Sequence, residues 1–102
     1  MNEKKRSITF VVPAYNEENN IRRFHEETNK VTLSLNNYTC EFVFIDDGSN
    51  DSTWRVIKEI SDLDLTVKGL RLSRNFGKEM ALTAGIIEWT KFSDAVIFMD
   101  AD

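Results

Sequence analysis

Cysteine, proline and histidine occur once each in this 102-residue chain, and glycine four times. The single cysteine, Cys40, excludes an internal disulfide. It opens an apolar run, so it reads as a buried or half-buried thiol. Glycine is absent where two common phosphate loops need it. The first apolar run, "ITFVVPA", passes into "YNEE". That excludes both the G-x-G-x-x-G dinucleotide turn and the Walker-type loop, whose backbones must approach phosphate closely. No run approaches the ~18 apolar residues of a membrane span. "MNEKKRSITF" has charge without the apolar segment of a signal peptide. We therefore expect a soluble, cytoplasmic chain. A net charge of -4 and a pI near 5.0 lack the basic excess of a nucleic-acid binder. Any phosphate site must come from local cations and backbone N–H groups.

What is present is periodic. "ITFVVPA" (8–14), "CEFVFID" (40–46), "TVKGLRLS" (66–73) and "DAVIFMD" (94–100) are short apolar runs that predict strands. Three helical patterns separate them. The first follows Asn16, a predicted N-cap with Glu17 and Glu18 in its first turn, and puts Ile21, Phe24, Thr28, Val31 and Leu35 on one face. The second starts near Asp51, with Thr53, Val56, Ile57 and Ile60 inward. The third begins near Phe76, with Met80, Ala84 and Ile87 on a stripe. Alternating β and α elements predict an α/β, Rossmann-like parallel sheet with helices on both faces, in one domain. Ligands of such sheets sit at the carboxyl ends of the strands. Here those ends read "PAYNEE", "DDGSND", "SRNFGKE" and "DAD".

Pro13 suits a strand exit, since it has no N–H to leave unpaired. Tyr15 could lie against a base or sugar, or pack on a helix start. Asp46 and Asp47 repel each other. One acid would suffice to cap the next helix, so the pair points to ligand hydroxyl or N–H groups. Capping by Asp47, Ser49 or Asp51 is the competing reading. Gly48 permits positive φ or a close approach. Arg74 and Lys78 flank a helix N-terminus, where cations are unfavourable unless an anion such as phosphate joins them; a solvated pair is the plainer alternative. Asp100 and Asp102 fall on one side of an extended chain and could present oxygens to Mg²⁺ or Mn²⁺. His25 lies mid-helix without a partner motif and is expected at the surface.

Together "VVPAYNE", "FIDDGSNDST", "RNFGKEMALTAG" and "MDAD" resemble glycosyltransferase family 2, with a GT-A fold. The likeness runs from about Ser7 to Asp102. "SRNFGKEMALTAGI" is similar to the branch acting on polyprenyl phosphates, such as dolichol-phosphate mannosyltransferases and bactoprenol glucosyltransferases. The resemblance implies a UDP- or GDP-sugar donor, inversion at the anomeric carbon and a lipid-phosphate acceptor. It places Pro13, Tyr15 and Glu17 at the nucleoside, with Asp47 on the base and Asp46 beside it. Arg74 and Lys78 would lie near the diphosphate, Asp100 near ribose and metal, and Asp102 on the metal.

The chain stops directly after its D-x-D motif. We expect residues 1–102 to be the N-terminal, donor-binding part of a longer enzyme, inactive alone and prone to self-association through open sheet edges. The parent would be membrane-associated at the cytoplasmic face. The alternative is a non-catalytic nucleotide-binding or regulatory fragment. A phospho-receiver would carry its acidic pair after the first strand, not the second. A nucleotidyltransferase would bring a glycine- and basic-rich loop there.

Overall fold

The computed structural model describes residues 5–89 and 93–101. The elements run β1 (Arg6–Ala14), α1 (Ile21–Leu33), β2 (Tyr38–Asp46), α2 (Thr53–Leu63), β3 (Val67–Arg71), α3 (Lys78–Trp89) and β4 (Ala95–Phe98). The four strands form one sheet in the order β3-β2-β1-β4, and all pairings are parallel. The Rossmann-like α/β sheet expected from the periodicity is therefore present.

The period-2 alternation of β1 and β2 divides two cores. Phe10, Val12, Phe42 and Phe44 face α1 and α2, which supply Ile21, Val56, Ile57 and Ile60. Val11, Val43 and Ile45 face the other way, against Ala81 of α3. Each fully buried large side chain contributes about 1.5–3 kcal/mol. Phe10 stacks on Phe42 at 5.2 Å, and Phe24 of α1 meets Phe44 edge-on at 6.1 Å. Gly69 of β3 admits α2 closely, since a Cβ there would lie 2.9 Å from Ile57 Cγ2 and 3.2 Å from the Trp54 ring.

Pro13 lies in a central strand, which ordinarily excludes proline. Its position resolves this, because β4 pairs only with Ile8–Val11 and leaves the end of β1 unflanked on that side. Ser7 and Asp94 fix the entry to β4: the Ser7 N–H donates to Asp94 Oδ2 at 2.8 Å, and the Asp94 N–H to Ser7 Oγ at 3.1 Å.

Several local expectations fail. Asn16 is not the N-cap of α1; it takes a left-handed φ of 53°, and the helix starts at Ile21 behind Asn20. Glu17 and Glu18 therefore precede the first turn. Val31 is exposed, because the opening residues of β2, Tyr38 and Thr39, are exposed too and no core extends beneath the last turn of α1. Among the described side chains of α3, Ala81 is buried, Leu82 packs against the same core and Met80 is exposed; the side chain of Ile87 lies outside the described residues. One residue of helix phase is about 100° of rotation, which is enough to turn Met80 outward. His25 is half-buried: its Nε2 lies 3.0 Å from Asp64 Oδ2, and its ring meets Phe42 edge-on.

Candidate active site

In a 3-2-1-4 sheet the chain leaves β1 to one side for α1 and returns to the other side at β4. The crevice between the carboxyl ends of β1 and β4 is the topological switch point. A cavity of about 230 Å³ lies there. Pro13 at the end of β1 lines it, with Tyr15 and Glu17 just after that strand, Asp47 just after β2, Asn75 before α3, Lys78 at the first residue of α3 and Asp100 just after β4. A second cavity of about 570 Å³ adjoins it, sharing Tyr15 and Asn75 and adding Ser49, Arg71 and Arg74. Tyr15 is 43% exposed between the two.

The loops that carry these side chains are laced together. The Asn16 N–H donates to Ser49 Oγ at 2.8 Å, and Asn16 Oδ1 accepts the Asn50 N–H at 2.9 Å. The Glu17 N–H donates to Thr53 Oγ1 at 2.8 Å, and the Glu18 N–H to Asp51 Oδ2 at 3.3 Å. Asp51 also accepts from the backbone and hydroxyl of Thr53. Burial raises the pKa of its carboxyl, but these hydrogen bonds outweigh burial and hold it below the usual value. Asp51 thus works at the start of α2 as expected, though Ser52 is the formal cap.

The acidic pair divides its labour across the sheet. Asp46 is fully buried; its Oδ1 accepts the Ser49 N–H at 2.9 Å. Its Oδ2 accepts no hydrogen bond among the described residues and lies 3.6 Å from Arg71 Nε. Asp46 and Arg71 are register partners at the ends of β2 and β3. Arg71 is not among the residues expected at the site, because the register that sets it opposite Asp46 exists only in the assembled sheet. Its guanidinium also lies 5.8 Å from the centre of the Trp54 ring.

Asp47 turns towards α3. Its Oδ1 accepts the Phe76 N–H at 2.8 Å, and its Oδ2 accepts the Gly77 N–H at 2.9 Å and the Asn75 amide at 3.0 Å. Between them Gly48 has φ 73°, and its missing Cβ would lie 2.2 Å from the Arg74 carbonyl carbon. The β3–α3 loop therefore crosses directly over Gly48. Asp47 supplies the negative charge that the N-terminal end of α3 favours, so that charge need not come from phosphate.

The two cations of the loop also have internal partners. The Arg74 guanidinium stands 4.7 Å from the Phe76 ring centre. Lys78 Nζ forms an ion pair with Asp100 Oδ1. The two side chains are 59% and 54% exposed, so both face water and the smaller cavity. Asp102 lies outside the described residues.

Among the described residues no three or more His, Cys, Asp or Glu side chains gather as a metal cage. Asp100 fits a different kind of site. It offers a hard oxygen donor at the cavity and already holds a cationic group there. Mg²⁺ is commonly bound by one or two carboxylates, completed by phosphate oxygens and water.

A parallel sheet with a polar cleft at its switch point, walled by a tyrosine, acids and cations, defines an α/β domain whose candidate site lies at the strand ends. The sheet is that of the nucleotide-binding half of a GT-A fold. A mannosyltransferase of Pyrobaculum calidifontis, solved with GDP-Man and Mn²⁺, superposes with a TM-score of 0.81 at 24% identity, over 97% of this chain and 28% of that one. Staphylococcus aureus TarS 1–349 in complex with UDP gives 0.72 at 23% identity, over 94% and 27%. Residues 9–102 match glycosyl transferase family 2, and the chain belongs to that family. A prophage bactoprenol glucosyl transferase homolog of Escherichia coli K12 is 42% identical over 95 residues, covering 93% of this chain. The chain spans about three-tenths of the length of the curated relatives it matches. Among the described residues no helix is long and apolar enough to cross a membrane.

Proposed function

We propose that this chain is the donor-binding part of an inverting glycosyltransferase that passes a sugar from a nucleoside diphosphate sugar to a polyprenyl phosphate. The observation that carries the reading is the pair of joined cavities at the switch point, one walled by arginines and one by Asp47, Lys78 and Asp100. A nucleoside diphosphate sugar is an elongated ligand with an aromatic end and an anionic middle, and the two cavities have matching chemistry. The mannosyltransferase neighbour solved with GDP-Man and the neighbour solved with UDP support this donor class. The bactoprenol relative supports the acceptor.

In this reading the base and ribose lie along Tyr15, with Pro13 and Glu17 on the β1 side. Arg71 at the end of β3 and Arg74 in the loop after it face the nucleotide, and Asp46 holds Arg71 from beneath. Asp47 acts as a positioning residue, since its oxygens hold the loop that carries Arg74 and Lys78. Lys78 meets the diphosphate. Asp100, with Asp102 beyond it, would hold Mg²⁺ or Mn²⁺, which when bound neutralises the departing diphosphate. The acceptor phosphate is already ionised and needs little help from a base, and attack from the opposite face inverts the anomeric carbon.

Calorimetric titration of the chain with UDP and with GDP, with and without Mn²⁺, tests the donor site. Metal-dependent binding of one nucleotide, abolished in Asp100→Asn, is the expected result. A folded chain that binds neither nucleotide refutes the reading. The acceptor is tested separately: the full-length protein should transfer sugar to a polyprenyl phosphate and not to a free sugar.

A further inference from the structure

Asp100 already holds a cation. Its partner is the ammonium of Lys78, which reaches from the first residue of α3 to the end of β4. Both residues line the smaller cavity, so the ion pair lies at its wall. The position of Lys78 is unfavourable for the helix, whose N-terminal end carries partial positive charge. The Asp100 carboxylate that faces it offsets this.

Building on the donor-site reading, we propose that Lys78 is an internal stand-in for the divalent cation, and that metal and donor exchange it between two anions. In the donor-free protein Lys78 neutralises Asp100. A divalent ion seeking Asp100 competes with the ammonium and meets its repulsion, so the ion alone binds weakly. The diphosphate of the donor offers Lys78 a second anion. Once the ammonium turns to it, Asp100 is open to the ion. Nucleotide and metal thus favour each other's binding, and by linkage the factor is the same in both directions. Lys78 is in this sense a positioning residue that couples the two ligands. Arg74 serves as the comparison, because its guanidinium lies over Phe76 in the same loop.

The test is Mn²⁺ binding, read from the electron paramagnetic resonance of the free ion, with and without whichever of UDP or GDP binds. Ion pairs between exposed groups have a strength that corresponds to an affinity change of up to about fivefold. Without nucleotide, Lys78→Gln should therefore bind Mn²⁺ about threefold to fivefold more tightly than the unaltered chain. With nucleotide that advantage should vanish, so the variant loses the mutual enhancement. Lys78→Arg, which keeps the charge, should stay near the unaltered chain. Equal or weaker Mn²⁺ binding by Lys78→Gln without nucleotide overturns the proposal. So does an equal gain in Arg74→Gln, which would trace the effect to general charge. Mn²⁺ binding that no variant or nucleotide can elicit overturns the donor-site reading itself, and this proposal with it.

Discussion

Replacing Gly48 by alanine tests whether the acidic pair and the β3–α3 loop form one locked unit. Two costs arise. The first is backbone strain, because φ is 73° and a Cβ in that region costs about 1–2 kcal/mol. The second is collision with the loop backbone, since the new Cβ would lie 2.2 Å from the Arg74 carbonyl carbon and 2.4 Å from the Asn75 nitrogen. Restoring an ordinary 3.4 Å contact moves the loop by about 1.2 Å. Asp47 holds that loop through bonds of 2.8 to 3.0 Å, which such a shift breaks. Hydrogen bonds to charged groups contribute about 1.5–3 kcal/mol each. The nearby cavity admits water, so we take the low end of that range for the three bonds and, with the strain, expect a total loss of about 5–6 kcal/mol. Gly77→Ala is the control. Its φ of 99° imposes strain, but nothing lies within 4 Å of its added Cβ, so about 1–2 kcal/mol should be lost. Urea unfolding followed by far-ultraviolet circular dichroism reads both variants. If Gly48→Ala costs no more than Gly77→Ala, the loop crossing is not as described.

Three further outcomes are expected. Burial raises the pKa of the Asp64 carboxyl, but hydrogen bonds from Thr66 and His25 and the charge of His25 outweigh this and hold it below its usual 3.8. Its stabilising contribution is therefore full above that value and fades as pH falls through the lower folded value; Asp64→Asn should flatten this acid limb, and unchanged acid-unfolding curves would refute the assignment. Strand β4 ends the sheet among the described residues, with Ile97 and Phe98 42% and 50% exposed, so the chain should self-associate in light scattering and Phe98→Lys should lessen it; a monomer at high concentration in both proteins contradicts this. Cys40 packs against the larger core cluster, and burial pushes its thiol pKa up. Ellman's reagent should therefore modify it more slowly than free cysteine at pH 8 and reach the free-cysteine rate only on unfolding.

The sheet was legible because β-branched and aromatic runs alternate with amphipathic stretches, and the Thr53, Val56, Ile57 and Ile60 face of α2 is buried as read. The switch-point cleft followed from the topology, and six of the nine predicted residues line its smaller cavity. What escaped was pairing between distant segments. "DDGSNDST" looks like a ligand loop, yet Ser49, Asp51 and Thr53 serve the neighbouring "YNEE". A capping acid is expected just before its own helix, whereas Asp47 serves the start of α3 thirty residues on. Local sequence holds no sign of such reach. The register of β2 with β3, which sets Arg71 opposite Asp46, is likewise a property of the assembled sheet.

The lacing of the strand-end loops has a thermodynamic side. A loop that must settle around its ligand loses conformational freedom on binding, and that loss weakens affinity. Here "PAYNEE" is tied to "DDGSND", and the approach to α3 is tied to Asp47, before any ligand arrives. Little backbone is left to order in these three segments. Donor binding should then show only the small negative heat-capacity change set by the apolar area it covers, without the large change that accompanies coupled folding. Selectivity among nucleotides would rest on the side chains of Tyr15, Arg71 and Arg74. A change of preferred base could accordingly come from one or two substitutions on an otherwise fixed rim.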